Sequence, residues 1–180
     1  AGLGETGGDL SSFFHLKEVE ILHGPRGGVE LLVRRGEIER WMAIPAYEWR
    51  LSVRPTLAGA AGVAQGEGER LLETKNLEGA VARWDAGAAE AAARGDHLSA
   101  AWLQFRSGQA LADGKRWAAA VEALGRCADA LAAVDAGRFQ PIIWDMQGEL
   151  LRLDKRPEAA MEAHRKALAA WTHDGGELGR

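Results

Sequence analysis

Few side chains in this sequence can do chemistry, and their spacing limits what that chemistry could be. The five histidines, His15, His23, His97, His164 and His173, include no His-x-x-x-His pair, the spacing that sets two imidazoles on one helix face for zinc. Surface or packing roles are expected for them, and no metal site. Ser11, Ser12, Ser52, Ser99 and Ser107 lack the glycine context of a nucleophile elbow, whose tight turn exposes the hydroxyl. Gly2-Leu-Gly4 and Gly7-Gly8 are not followed by Lys-Ser or Lys-Thr, so the amide cradle and ammonium of a phosphate loop are missing. Glu67 and Glu69 read as a solvated helix face rather than an acid–base couple. Cys127 is the single cysteine, which excludes an internal disulfide and a multi-cysteine metal site. The chain is therefore expected to be non-catalytic, with no cofactor and no metal. Recognition by aromatic and charged side chains is the function class left.

Composition narrows the partner. Twenty-six acidic against 22 basic residues give a formal charge of −4 and a pI near 5.8, which argues against a nucleic-acid partner. Hydrophobic residues at 47% with 27% charged are enough to fold a globular core, so disorder throughout is excluded. No apolar run approaches the ~18–20 residues needed to cross a bilayer, so membrane insertion is not expected. No basic segment followed by an apolar stretch marks a secretory signal, and cytoplasmic placement is expected over periplasmic. A start at Ala1 rather than Met suggests a processed or excised fragment. The Ala/Gly/Arg bias suits a high-GC bacterial genome.

Texture changes along the chain. Residues 1–57 hold β-branched and large apolar residues, whereas alanine, the best helix former, dominates from Ala58 onward. The small, proline-bearing stretch around Pro55–Gly62 reads as the seam, giving a first domain over 1–55, a linker over 56–62 and a helical region over 63–174. A shift of 40 residues brings Gly68, Gly108 and Gly148 into register, with Leu71, Leu111 and Leu151, and Lys75, Lys115 and Lys155. Ala80, Ala120 and Ala160 align too, as do Val81, Val121 and Met161. Five columns at one period identify a repeat protein.

Each unit reads as two helices. In the last, a helix from about Pro141 to Leu153 is followed by the turn Asp154-Lys-Arg. A second helix then starts at Pro157, where a first-turn proline is tolerated. Its expected apolar stripe is Ala160, Met161, His164, Ala167 and Leu168. A mid-helix glycine costs about 1 kcal/mol against alanine, so three in phase predict a close helix crossing. The alanine twelve residues later is the expected small partner. Cys127 shares the small column of Ala167 and is expected to be a buried thiol. Trp84, in the column of Leu124 and His164, is expected in the core.

Trp144, Gly148, Leu151, Ala160 and Ala167 follow the order large–Gly–Leu–Ala–Ala, and this pattern resembles the tetratricopeptide repeat family. Gln104, Gly108, Leu111, Ala120 and Cys127 follow it with two weaker positions, and Gln65, Gly68, Leu71 and Ala80 follow it in part. The resemblance spans roughly residues 61–174, with a period longer than the family's usual ~34. It implies a mainly α fold of antiparallel helix hairpins in a solenoid, with Trp144 as a packing residue. It also implies that first helices line a concave groove. The groove positions carry Trp102, Phe105, Arg106 and Gln109 in the second unit, and Asp145, Glu149 and Arg152 in the third. Members that clamp a C-terminal carboxylate use Lys and Asn there, so that clamp is absent. An aromatic patch beside mixed charge suits an apolar or basic peptide segment, with Trp102 read either as a contact or as a packing residue.

The first 55 residues read as a short helix over 13–24 closed by Gly24 and a Pro25–Gly28 turn. A strand Val29–Arg35, a turn at Gly36 and a return strand Ile38–Ile44 follow. Tyr47–Val53 alternates as a further strand would. With Gly8-Asp9 after Ala1-Gly2-Leu3, this order resembles the C-terminal half of a bacterial PDZ domain over residues 1–46. The N-terminal strand that walls the peptide groove of that family is missing, so the unit is expected to be a partial, PDZ-like α+β domain.

The expected function is a non-catalytic protein-interaction scaffold of a larger bacterial protein. Its expected partner is a protein or peptide segment, or another domain of the parent chain. Two alternatives are the regulatory segment of a protease, since both modules accompany peptidases, and a self-assembly element in which an incomplete repeat end or an open sheet edge pairs between chains.

Overall fold

The structure is a computed structural model that describes residues 10, 12–46, 49, 53–134 and 139–175. Among them the chain is mainly helical, with one two-stranded antiparallel sheet. It divides into two compact units between Pro55 and Thr56.

In the first unit, helix α1 (Phe13–His23) starts at Ser12, whose hydroxyl accepts a hydrogen bond from the His15 N–H at 3.1 Å. That bond satisfies one of the amide donors every helix start leaves over. A single 3-10 turn, Gly24–Arg26, leads to strand β1 (Val29–Arg35), which pairs with β2 (Ile38–Ile44). The connecting residues are Gly36 and Glu37. Gly36 takes φ +64° and Glu37 does not turn positive, the pattern of a type II′ hairpin, whose twist matches that of its strands. One face of the hairpin seats Val29, Leu31 and Ile44 against Leu16, Val19 and Trp49. The stretch expected as a further strand, Tyr47–Val53, lies outside the described residues except for Trp49 and Val53, neither of which is in a strand. The Ala1–Asp9 fragments also lie outside them.

The second unit consists of α2 (Gly59–Glu73), α3 (Leu77–Ala93), α4 (His97–Asp113), α5 (Trp117–Ala132), α6 (Gln140–Leu153) and α7 (Pro157–Gly175). Each helix packs on the next in sequence, and α2 also reaches α4. Residues 59–62, expected as linker, already form the first turn of α2. Ala60 and Ala61 favour the helix there, and only Thr56–Ala58 remain outside it.

The connections explain the periodicity. The α2–α3, α3–α4, α4–α5 and α6–α7 turns all end their helix with one left-handed residue: Lys75 (φ 61°), Gly95 (φ 77°), Lys115 (φ 57°) and Lys155 (φ 60°). Around each, two amides fold back on the helix. The Lys115 N–H donates to the Ala112 carbonyl at 2.9 Å and the Arg116 N–H to Leu111 at 2.8 Å, the Schellman arrangement that closes a helix C-terminus. The turns are so short that successive helices must run antiparallel.

The glycine column is a helix crossing, but its partner lies sixteen residues on rather than twelve. A Cβ on Gly68 would collide with the Trp84 indole; on Gly108 it would meet Leu124 Cδ2 at 2.8 Å, and on Gly148, His164 Cε1 at 2.5 Å. Each glycine leaves space for a large residue from the facing helix. Ala80, Ala120 and Ala160 are buried one turn earlier, too small to fill that space themselves. Trp84 is fully enclosed. Met161 and Leu168, expected on the apolar stripe of α7, are exposed, Leu168 at 63%. Ala88 and Ala128 hold the Leu168 column in α3 and α5 and are buried there. Among the described residues no helix follows α7 to cover it.

Candidate partner-binding groove

The groove residues come from two helices, four on α4 and three on α6. Trp102 and Phe105, one turn apart on α4, do lie on one face: their rings stack with centroids 6.0 Å apart. That face is covered. Each is only 4% exposed, so the expected aromatic contact patch is corrected to a part of the core. Helical phase places the two rings together, but their bulk fills the space beside their neighbours instead of projecting into a groove.

The polar members stand differently. Arg106 and Gln109 are half-buried, with the Arg106 guanidinium donating to Gln109 Oε1 at 3.1 Å. The same guanidinium lies 5.4 Å from the centroid of the Trp84 ring on α3, a cation–π contact. Asp145, Glu149 and Arg152 are exposed. Asp145 Oδ1 lies 2.8 Å from Nδ1 of His164, Glu149 Oε1 lies 3.7 Å from Nε2, and Arg152 holds Glu149 at 2.8 Å. The two carboxylates are thus turned along the α6–α7 seam and clasp a histidine that lies over Gly148. Trp144, expected as packing, is half-buried with the Lys166 ammonium 4.1 Å above its ring.

Sequence reasoning missed His164 as the centre of this cluster, because its column is otherwise occupied by Trp84 and Leu124. The usable signal was a polar residue in an apolar column, facing acids three before and one after the glycine. A second network was also missed. The buried Ser107 hydroxyl donates to Asp85 Oδ1 at 3.2 Å; Arg126 donates to Asp85 Oδ2 at 3.1 Å and to Gln104 Oε1 at 2.8 Å. These four residues tie α3, α4 and α5 together across the boundary between hairpins. Their separations in sequence leave no local signal.

Elsewhere among the described residues two groups are shifted by their surroundings. A hydrogen bond from Arg83, together with its positive charge, holds the Glu67 carboxyl below the ordinary glutamate range, with burial acting weakly the other way. Burial pushes the Cys127 thiol up, away from the thiolate form that reacts. No group of three or more His, Cys, Asp or Glu side chains among the described residues is placed to hold a metal ion. No described helix is long and apolar enough to cross a membrane.

No protein-family model matches the chain, and no curated protein or solved structure matches it either.

Proposed function

We propose that the chain is a non-catalytic protein-interaction module, its second unit a tetratricopeptide-like array and its first a partial PDZ-like domain of a larger bacterial protein. The observation that carries this reading is the crossing repeated at Gly68/Trp84, Gly108/Leu124 and Gly148/His164. One side chain per hairpin fills one glycine notch, so the same crossing recurs along the array, and arrays of that kind present extended binding surfaces. The recognition surface is the polar part of the expected groove: Arg106 and Gln109 on α4, and Asp145, Glu149 and Arg152 on α6. With Trp102 and Phe105 in the core, mixed charge rather than an aromatic anchor selects the partner, a protein or peptide segment bearing both signs of charge.

Selection of a displayed random-peptide library on the full chain tests this. Binders are expected to weaken at least tenfold on Gln109→Ala or Glu149→Lys while thermal unfolding stays unchanged. Selected peptides that keep their affinity for both variants would remove the groove as the site.

A further inference from the structure

Among the described residues the sheet has two strands, and no strand pairs with the outer edge of β1. Arg35 and Ile38 flank the two-residue turn and form the hydrogen-bonded pair that closes the hairpin. Antiparallel pairs alternate, so the N–H and C=O groups of Glu30, Leu32 and Arg34 point away from β2. All three side chains are exposed. On the face they share, Leu32 stands opposite Trp41 and Arg34 opposite Glu39, with Arg34 Nε 2.8 Å from Glu39 Oε1. Trp41 is 68% exposed, so a large apolar pair sits uncovered beside an unpaired strand edge, a combination that soluble proteins usually avoid.

We propose that β1 joins β1 of a second copy of this chain about a two-fold axis at Leu32, making one four-stranded antiparallel sheet. The strand reads Val-Glu-Leu-Leu-Val-Arg-Arg. With Leu32 opposite Leu32 of the second copy, Leu31 meets Val33 and Glu30 meets Arg34, twice over by symmetry. The outward backbone groups of Glu30, Leu32 and Arg34 then all find counterparts. One face carries a continuous stripe Trp41–Leu32–Leu32–Trp41. On either side of it, each Arg34 lies between Glu39 of its own chain and Glu30 of the other. A shift of register breaks this charge match. The other free edge does not offer it: pairing β2 with itself about Trp41 would set Glu39 against Ala43. Only the β1 edge is self-complementary, which makes a closed two-fold dimer rather than an open fibre.

The test uses the full chain. Light scattering across a concentration series is expected to show the mass rising from 19.3 kDa to twice that value. Glu30→Arg and Arg34→Glu should each remain monomeric where the parent is a dimer. An equimolar mixture of the two should dimerise again, because every arginine at these two positions then faces a glutamate of the other variant. Leu32→Cys should cross-link to itself on mild oxidation, since residues in a hydrogen-bonded antiparallel pair have Cα atoms about 5.5 Å apart, within disulfide reach. The native Cys127 is buried and will not compete. A parent chain monomeric up to millimolar concentration would overturn the proposal. So would a dimer that survives Glu30→Arg, or one lost only on Leu168→Glu, which would move self-association to the exposed flank of α7. Peptide binding by the groove is unaffected by any of these outcomes, so the two readings fail separately.

Discussion

The His164 imidazole lies directly over Gly148, near enough that a Cβ on the glycine would come within 2.5 Å of its Cε1. Its ring is also clasped by Asp145 and Glu149, one on each side of that glycine in sequence. One residue therefore serves both the packing of the last hairpin and the charge of its surface. In the two preceding hairpins the same place is taken by an enclosed apolar side chain.

That difference predicts a graded response to filling the notch. Gly68→Ala forces a methyl against the fully buried Trp84 and is expected to cost about 2–3 kcal/mol, at the upper end of overpacking. Gly108→Ala, against Leu124, should cost about 1–2 kcal/mol. Gly148→Ala should cost least, because the His164 side chain is 35% exposed and can swing outward, and alanine returns about 1 kcal/mol of helix propensity. Gly148→Leu exceeds that room and is expected to lose about 1–3 kcal/mol. Denaturant unfolding of the four variants checks the order; equal losses for the three alanine variants would show that the residue facing the notch does not set the cost.

The left-handed turn residues make an opposite pair of predictions. Lysine at positive φ carries strain of about 1–2 kcal/mol, while glycine there costs more chain entropy, roughly 0.5–1 kcal/mol. Lys115→Gly is thus expected to raise stability by up to about 1 kcal/mol. Gly95→Ala should lower it by about 1 kcal/mol, although nothing lies within 4 Å of the added methyl. Thermal melts with opposite shifts would support this, and shifts of the same sign would refute it.

Trp102→Ala and Phe105→Ala should behave as core truncations, each losing about 3–5 kcal/mol. The measurement is equilibrium unfolding beside partner affinity. Retained stability with lost affinity would return both rings to the groove.

Glu67 gives the chain an acid-side sensitivity of known sign. Its carboxyl is held below the ordinary glutamate value by Arg83, so the folded state favours the ionised form. The resulting stabilisation is present above the unfolded pKa and is lost as pH falls through the lower folded one. Arg83→Gln should bring the Glu67 titration, followed by carboxyl NMR, back up toward the ordinary range and reduce the fall in stability on acidification. An unmoved titration would mean that the contact with Arg83 does not form.

Local patterns in the sequence mark several of the places where elements begin and turn. The hairpin Val29–Arg35 and Ile38–Ile44 and the proline start of α7 at Pro157 follow from short-range backbone preferences, and the structure shows them at those residues; the Lys75/Lys115/Lys155 column marks its turns by repetition, against the backbone preference of lysine. The 40-residue columns likewise mark which residues share a phase around their helices. What faces each phase is another matter. Trp102 and Phe105 share a face by spacing alone, but whether that face is groove or core depends on the mass packed against it. Leu168 and Ala128 share a column, yet one is exposed and the other buried, because a covering helix is a property of position in the array. His164 sits in an apolar column and finds its partners in acids reaching from α6, and Arg126 finds Asp85 from 41 residues away. Periodicity sets the direction of a side chain; only tertiary packing decides what it meets there.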